Sequence, residues 1–233
     1  MNPILVALDV ASADRAVALA DALRGAVGGF KIGKQLFTAA GPAMVRELTS
    51  RGDRVFLDLK FHDIPNTVAG AVQSAVSTGA WMVNVHASGG SAMMKAAAES
   101  ARKTADQLGQ ARPLVIAVTV LTSMDDQALR EVGVGRTMID QVVALSKLTK
   151  ASGLDGVVAS PKEVTAIRAA CGPDFQIVTP GIRPADQEGK DDQARTLTPA
   201  EAIAAGSTYL VIGRPITGAP VPREAAERIA ASL

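Results

Sequence analysis

The fold of this chain is decided by one stretch, which reads Val55-Phe56-Leu57-Asp58-Leu59-Lys60-Phe61-His62-Asp63-Ile64-Pro65-Asn66-Thr67. Residues 55–59 form a short apolar run typical of a buried strand, except that Asp58 interrupts it and Lys60 follows it. Side chains alternate across a strand, so we expect Asp58 and Lys60 to point to the same face. A single pair of this kind is usually a surface ion pair. Other apolar runs of the chain end in charges as well, and this repetition favours a functional site.

Length and composition restrict the class of protein. The chain has 233 residues, 48% of them hydrophobic and 20% charged, which suits a single domain spanning residues 1–233. The formal net charge of +1 argues against a nucleic-acid or membrane surface. Cys171 is the only cysteine, which indicates a reducing cytoplasm. The N-terminus lacks the basic segment of a signal peptide, and no apolar run approaches the roughly 18 residues of a membrane span, so we expect a cytoplasmic protein.

Eight short apolar runs recur along the chain, and most are followed by an alanine-rich stretch with helical spacing. The predicted strands are 4–8, 29–33, 55–59, 82–86, 114–120, 156–159, 176–179 and 209–212. Continuous apolar runs are typical of parallel strands covered by helices, and eight such units in a chain of this length predict a (β/α)₈ TIM barrel. The alternative is a doubly wound open sheet, which is less favoured because no Gly-x-Gly-x-x-Gly follows the first run.

Charged side chains stand at the ends of the first three predicted strands. Asp9 follows the first strand, Lys31 lies at the end of the second, and the third ends in Asp58 and Lys60, with Asp63 close behind. The carboxyl ends of barrel strands meet at one mouth, where the active sites of these barrels lie, so we expect these charges to converge there. A lysine between carboxylates keeps its proton, because neighbouring negative charge favours the ammonium. Such a lysine is a proton donor rather than a Schiff-base nucleophile, which must be neutral.

The last two strands are followed by residues suited to a phosphate group. Strand seven leads into Thr179-Pro180-Gly181-Ile182-Arg183, and strand eight leads into Gly213-Arg214-Pro215. The loops at these places are a common phosphate site of such barrels, with backbone N–H groups and an arginine as donors. Gln193, in the long polar loop between them, is a candidate lid residue. The plain alternatives are a loop charge for Arg183 and solvent exposure for Gln193.

The motif Asp58-x-Lys60-x-x-Asp63, followed at once by Ile64-Pro65-Asn66-Thr67, resembles the signature of the orotidine 5'-monophosphate decarboxylase family. Further segments agree along nearly the whole chain: Leu8-Asp9, Phe30-Lys31-Ile32-Gly33, Val85-His86-Ala87, Val120-Leu121-Thr122-Ser123, Val178-Thr179-Pro180-Gly181-Ile182-Arg183 and Val211-Ile212-Gly213-Arg214-Pro215. The resemblance implies a homodimer that needs no cofactor or metal. It would convert orotidine 5'-monophosphate (orotidylate) to uridine 5'-monophosphate (UMP) and carbon dioxide, the last step of UMP synthesis.

The resemblance also implies roles for individual residues. Lys60 would protonate C6 as the carboxylate leaves, and Asp58 would lie against that carboxylate. Lys31 and Asp9 would hold the charge network and the ribose hydroxyls. The remaining substrate contacts would come from Thr122, Pro180, Arg183, Gln193, Gly213 and Arg214, and the residues between Pro180 and Gln193 would form a lid. Asp63, Ile64 and Thr67 would enter the neighbouring subunit's site.

Two other readings stay open on the sequence. The first is the magnesium-dependent 3-keto-gulonate 6-phosphate decarboxylase and hexulose-phosphate synthase group, which has the same Asp-x-Lys-x-x-Asp core and would need a further carboxylate for the metal. The second is a catalytically silent sensor of a nucleotide or phosphosugar. We assign structural rather than catalytic roles to His62 and His86, and we expect Cys171 to be an inert small residue.

Overall fold

A computed structural model describes residues 2–183 and 197–233 of the chain. Over these residues, eight parallel strands pair in sequence order and close into a barrel, because β1 pairs with both β2 and β8. The strands are β1 (Ile4–Ala7), β2 (Gly29–Gly33), β3 (Val55–Phe61), β4 (Met82–His86), β5 (Leu114–Val118), β6 (Gly156–Val158), β7 (Gln176–Thr179) and β8 (Tyr209–Ile212). The predicted (β/α)₈ barrel is confirmed, and the closure between β1 and β8 excludes the open sheet.

Helices follow the strands and cover the outside of the barrel. They are α1 (Ala13–Leu23), α2 (Lys34–Ser50), α3 (Pro65–Val76), α4 (Gly90–Leu108), α5 (Asp126–Glu131), α6 (Met138–Ala151), α7 (Val164–Cys171), α8 (Pro199–Ala204), α9 (Arg214–Thr217) and α10 (Pro222–Ala231). The Ser12 hydroxyl caps α1 by accepting a hydrogen bond from the Arg15 N–H at 3.3 Å, and Pro65 opens α3 at its first residue. In the part of the chain described, none of the helices is long and apolar enough to cross a membrane.

The apolar residues of the strands divide between two cores. Val55 and Leu57 belong to the larger core between barrel and helices, whereas Phe56 belongs to the smaller core inside the barrel. The inner core consists of Leu5, Ala7, Phe56, Met82, Ile116, Val118, Val158, Val178 and Val211. Burying a side chain such as Phe56 contributes about 1.5–3 kcal/mol. Because inward positions recur every second residue, the next inward positions after this core lie at the mouth of the barrel.

Several strand ends differ from the sequence-based prediction. The first, fifth and sixth strands stop one or two residues early, at Ala7, Val118 and Val158, which is within the usual uncertainty of such boundaries. The third strand is longer than predicted and runs on to Phe61. This extension matters for function, because it places Lys60 inside the strand together with Asp58.

Candidate active site

A cleft of about 540 Å³ opens at the carboxyl ends of the strands. It is lined by Ala7, Asp9, Lys31, Gln35, Phe56, Asp58, Lys60, Val118, Val120, Leu121, Thr122, Val158, Pro180, Gly181, Arg183, Val211, Gly213, Arg214 and Thr217. The inner core of the barrel supplies its apolar floor, and residues beyond the strands supply polar groups around it. A volume in this range accommodates a small-molecule ligand.

Four charged side chains form a continuous chain along one wall of the cleft. The Lys31 ammonium lies 2.9 Å from Oδ1 of Asp9 and 3.6 Å from Oδ2 of Asp58. The Lys60 ammonium lies 2.5 Å from Oδ1 of Asp58. Lys31 is the middle residue of β2 rather than its last, and its side chain is almost fully buried. The structure therefore brings together Asp9, Lys31, Asp58 and Lys60, with alternating sign along the chain.

Asp58 is the central group of this arrangement. Burial alone raises the pKa of its carboxyl group, which is the largest single influence. The positive charges of Lys31 and Lys60, together with hydrogen bonds from Lys60 and Asn84, outweigh burial and hold the pKa below its ordinary value of 3.8. Asp58 is therefore a carboxylate at neutral pH, fixed by donors on more than one side.

Regular alternation does not explain how Lys60 reaches Asp58. The backbone of Lys60 has a φ of 55°, in the left-handed region that L-residues other than glycine seldom adopt. The pairing register shifts at the same place, since Leu57 pairs with Val83 and Phe61 with Val85. Both side chains line one cleft, but the sequence-based reason was incomplete, because β3 is irregular between Leu57 and Phe61. Strained backbone of this kind is concentrated at functional sites.

The loops after β7 and β8 add two arginines to the wall of the cleft. Pro180, Gly181 and Arg183 follow β7, and Gly213 and Arg214 follow β8; all five line the cleft. Arg183 is largely buried, and its Nη1 donates to the Ile182 carbonyl at 2.9 Å. Thr122, on the loop after β5, also lines the cleft.

The ends of the long polar loop lie side by side. Ile182 and Leu197 form an isolated parallel bridge, and the Arg183 N–H donates to the Leu197 carbonyl at 3.1 Å. Gln193 lies outside the described residues, so its predicted position as a lid residue stays a prediction.

Asp63, Ile64 and Thr67 do not line the cleft of their own chain. All three are exposed, and Ile64 is exposed to 67% although it is a large apolar residue. The carboxylate of Asp63 accepts a hydrogen bond from the Ile64 N–H at 2.6 Å. This segment runs from the end of β3 into the first turn of α3, so it begins next to the charged chain, and its side chains are exposed.

Sequence reasoning missed several residues of the site. Gln35 and Thr217 add polar groups to the wall of the cleft. Asn84, in the middle of β4, is fully buried and hydrogen-bonds both Asp58 and Lys60. Its signal was present, since Asn84 is a polar residue within the apolar run 82–86.

The two histidines stand beside the site. Their ring centroids are 5.3 Å apart, with an angle of 31° between the planes. Burial, then the charges of His62, Lys34 and Lys60, lower the pKa of His86 to about 4, so His86 is neutral at physiological pH. Cys171 is buried at the end of α7, away from the cleft.

A closed barrel with its charged cleft at the carboxyl ends of the strands defines a (β/α)₈-barrel protein of the enzyme type. The model of the Orotidine 5'-phosphate decarboxylase / HUMPS family matches residues 2–229. The chain belongs to this family, as the motif around Asp58 and Lys60 predicted.

Individual relatives match this chain over nearly their whole length. The chain is 56% identical over 233 residues to an orotidine 5'-phosphate decarboxylase of Moorella thermoacetica, which covers 100% of this chain and 92% of the relative. It is 54% identical to the enzyme of that name from Paramagnetospirillum magneticum, over 100% of this chain and 99% of the relative. A crystal structure of orotidine 5'-phosphate decarboxylase from Lactobacillus acidophilus superposes with a TM-score of 0.88 at 39% identity, covering 100% of this chain and 99% of that one.

Proposed function

We propose that this chain is a carboxy-lyase that converts orotidine 5'-monophosphate to UMP and carbon dioxide without a cofactor. The observation that carries the proposal is the chain of charges from Asp9 through Lys31 and Asp58 to Lys60 in the cleft. Relatives that are 52–56% identical over nearly the whole chain and are named orotidine 5'-phosphate decarboxylase support the choice of reaction.

Lys60 has the central chemical role in this proposal. Breaking the bond between C6 and the carboxylate releases carbon dioxide and leaves the electron pair on C6. The Lys60 ammonium stabilises this carbanion electrostatically and then donates a proton to it, which forms the C6–H bond of UMP. Lys60 is left neutral and regains a proton from solvent. The 2.5 Å contact with Asp58 holds the ammonium in one place before the reaction begins.

Asp58 lies where the substrate carboxylate would arrive. Because its own pKa is lowered, it is negatively charged when the substrate binds, and the two carboxylates repel each other. Lys31, which contacts both Asp9 and Asp58, balances that charge. Asp9 is about half exposed, which leaves its carboxylate available to the ribose hydroxyls.

The phosphate group would bind at the loops after β7 and β8. Arg183, Arg214 and the backbone of Gly213 line this part of the cleft and would donate to the phosphate, while Pro180 and Thr122 would contact the rest of the substrate. Gln193 would complete the phosphate contacts from the lid. Binding energy gained at the phosphate, remote from C6, can drive closure and thus serve the reacting centre.

The proposed enzyme acts as a homodimer. Asp63, Ile64 and Thr67 are exposed and lie outside their own cleft, which supports their placement in the partner's site. Asp63 would extend the alternation of charges to a fifth group, beyond Lys60. The exposed side chain of Ile64 would be buried on association, which favours the dimer.

The test follows the loss of the ultraviolet absorbance of orotidylate, using enzyme dialysed against a chelator. We expect conversion to UMP without added metal, and we expect Lys60→Ala to abolish turnover while it still binds UMP. Lys147→Ala, which removes an exposed lysine of α6, is the matched control and should keep full activity.

Other outcomes would select the rival readings. Turnover of 3-keto-gulonate 6-phosphate that requires magnesium, with none of orotidylate, would assign the chain to that group. Tight binding of UMP without turnover under any condition would favour the catalytically silent nucleotide sensor.

A further inference from the structure

Asn84 occupies a place in β4 where a barrel strand usually carries an apolar side chain. It lies two residues after Met82, a residue of the core inside the barrel, and therefore shares its inward face; it is 0% exposed. It does not line the cleft, so a bound ligand would not touch it. A fully buried amide needs partners for its donors and its acceptor, because an unsatisfied polar group destabilises the fold.

Both partners of Asn84 belong to the charged chain. Its Oδ1 accepts a hydrogen bond from the backbone N–H of Lys60 at 2.8 Å, and its Nδ2 donates to Oδ1 of Asp58 at 2.6 Å. The orientation of the amide is dictated by chemistry, since a carboxylate only accepts and an N–H only donates. One side chain therefore holds the carboxylate that pairs with Lys60 and the backbone that carries Lys60.

The position of Asn84 coincides with the irregular part of β3. Leu57 pairs with Val83, and the next pair is Phe61 with Val85. Between these two pairs β3 therefore has three residues where β4 has only one. Asn84 stands between those two β4 residues, opposite the extra length of β3. Its Oδ1 accepts the hydrogen bond from the Lys60 N–H that a backbone carbonyl would accept in a regular sheet. Lys60 is also the residue with a φ of 55°.

We infer that Asn84 is a positioning residue of this site: its amide fixes the left-handed backbone of Lys60 and the carboxylate of Asp58, and so sets where the Lys60 ammonium stands. The inference rests on the proposed function only for its chemical consequence. A proton donor must lie close to the atom that it protonates, and a displacement of about 1 Å can lower a rate by about 100-fold.

Asn84→Leu tests the inference, because leucine has a similar size and makes no hydrogen bonds. We expect kcat for orotidylate to fall by about 100-fold, whereas KM stays within a few-fold, since the phosphate and ribose contacts are untouched. Thr149→Val is the matched control: it removes a buried hydroxyl of α6 that donates to the Leu145 carbonyl, away from the cleft. Its kcat should equal that of the wild type.

A crystal structure of Asn84→Leu separates this inference from the proposed function. We expect Lys60 to leave the left-handed region and its ammonium to move away from Asp58. Wild-type enzyme that does not convert orotidylate would end the proposed function, yet this structure would still decide the role of Asn84. The inference would be overturned if Asn84→Leu kept the kcat of an active wild type. It would also be overturned if Lys60 in the variant kept its left-handed backbone and its contact with Asp58.

Asn84→Asp provides a second test that does not depend on the folding of the leucine variant. It keeps an acceptor for the Lys60 N–H but replaces the donor to Asp58 by a second carboxylate. As pH falls, the introduced carboxyl group takes up a proton and becomes a donor to Asp58, so the ratio of its kcat to that of the wild type should rise. The groups facing this position are Asp58 and Lys60, with Lys31 beyond Asp58. A ratio that stays constant with pH would contradict a positioning role.

Discussion

A β-carbon placed on Gly33 would lie 2.8 Å from the Lys31 ammonium and 3.1 Å from Oδ1 of Asp9. Gly33 has an ordinary extended backbone, with a φ of −94°, so conformation does not require glycine at this position. Space requires it: Gly33 and Lys31 share the inward face of β2, and the absent side chain leaves room for the ion pair with Asp9.

Gly33→Ala should therefore fold but act slowly. The flexible end of Lys31 can move away from the new methyl group, yet that movement weakens its contacts with Asp9 and Asp58. We expect kcat to fall by roughly 10- to 100-fold, as for other small displacements of catalytic groups. Gly135→Ala is the control, because a β-carbon there meets no atom within 4 Å. Full activity in Gly33→Ala would show that the placement of Lys31 is not critical.

Hybrid dimers test whether sites are shared between subunits. Lys60→Ala and Asp63→Asn should each be nearly inactive as homodimers. In a hybrid, one site carries both changes and the other carries neither, if Asp63 acts in the partner's site. Random mixing makes half of the dimers hybrids with one intact site each, so about a quarter of wild-type activity should return.

The matched control for this mixing is Lys60→Ala with Asp58→Asn. These two residues contact each other within one chain, so every site in the hybrid carries one change and activity should stay low. Failure of the first mixture to recover, with dimers demonstrated by sedimentation, would remove Asp63 from the partner's site. A monomeric protein with full activity would contradict the shared site altogether.

The barrel was predictable because its signal is local. Each strand is a short apolar run, and the charges at Asp9, Lys31, Asp58 and Lys60 stand out against that background. The barrel topology then brings these charges together, since the carboxyl ends of its parallel strands meet at one mouth. The motif around Asp58 and Lys60 also indicated the family that the comparison with relatives confirms.

The details that set the geometry were not predictable in this way. The contact between Asn84 and Asp58 joins residues 26 positions apart, and it depends on a shift in register that no periodic pattern records. The left-handed backbone of Lys60 is stabilised against its intrinsic preference by a second long-range contact, the hydrogen bond from its N–H to Asn84. The short helices α8 and α9 were also missed, because four to six residues carry too little periodicity to be recognised.

The stability of the fold should depend on His86 in the acid range. Its pKa is lowered by burial from an ordinary value of 6.5 to about 4, so between these values the unfolded chain takes up a proton that the folded protein does not. The contribution of His86 to the free energy of unfolding is then fully present above pH 6.5, and it is lost as the pH falls toward 4. The carboxylate of Asp58 contributes at lower pH: its pKa is held below 3.8, so its contribution to the free energy of unfolding is lost only as the pH falls below that value.

Urea unfolding of His86→Gln at neutral pH and near pH 4 measures this effect. We expect the variant to lose less unfolding free energy than the wild type over that interval. His62→Gln should show a smaller change in the same direction, because His62 contributes to lowering the pKa of His86. An identical loss of unfolding free energy in His86→Gln and the wild type would mean that folding does not lower the pKa of His86.

Arg168 should matter for stability but not for catalysis. Its Nη1 donates to the carbonyl oxygens of Gly172 and Phe175 at 2.8 Å and 2.7 Å, and its Nη2 donates to that of Gly206, which joins the end of α7 to the turn before β8. Arg168→Lys keeps the charge but loses the planar fork that reaches these acceptors together. We expect a loss of about 2 kcal/mol from partly buried carbonyls left without a donor, which corresponds to a melting temperature lower by roughly 4–8 °C.

Arg102→Lys is the comparison, because the ion pair of Arg102 with Asp106 on α4 is exposed and of a kind worth about 0–1 kcal/mol. Scanning calorimetry should separate the two variants clearly, while both keep the wild-type kcat because neither side chain lines the cleft. Equal melting temperatures would mean that the carbonyls held by Arg168 find other donors, water among them. A fall in kcat for Arg168→Lys at full folding would instead connect the turn before β8 to the phosphate side of the cleft, where Gly213 and Arg214 follow that strand.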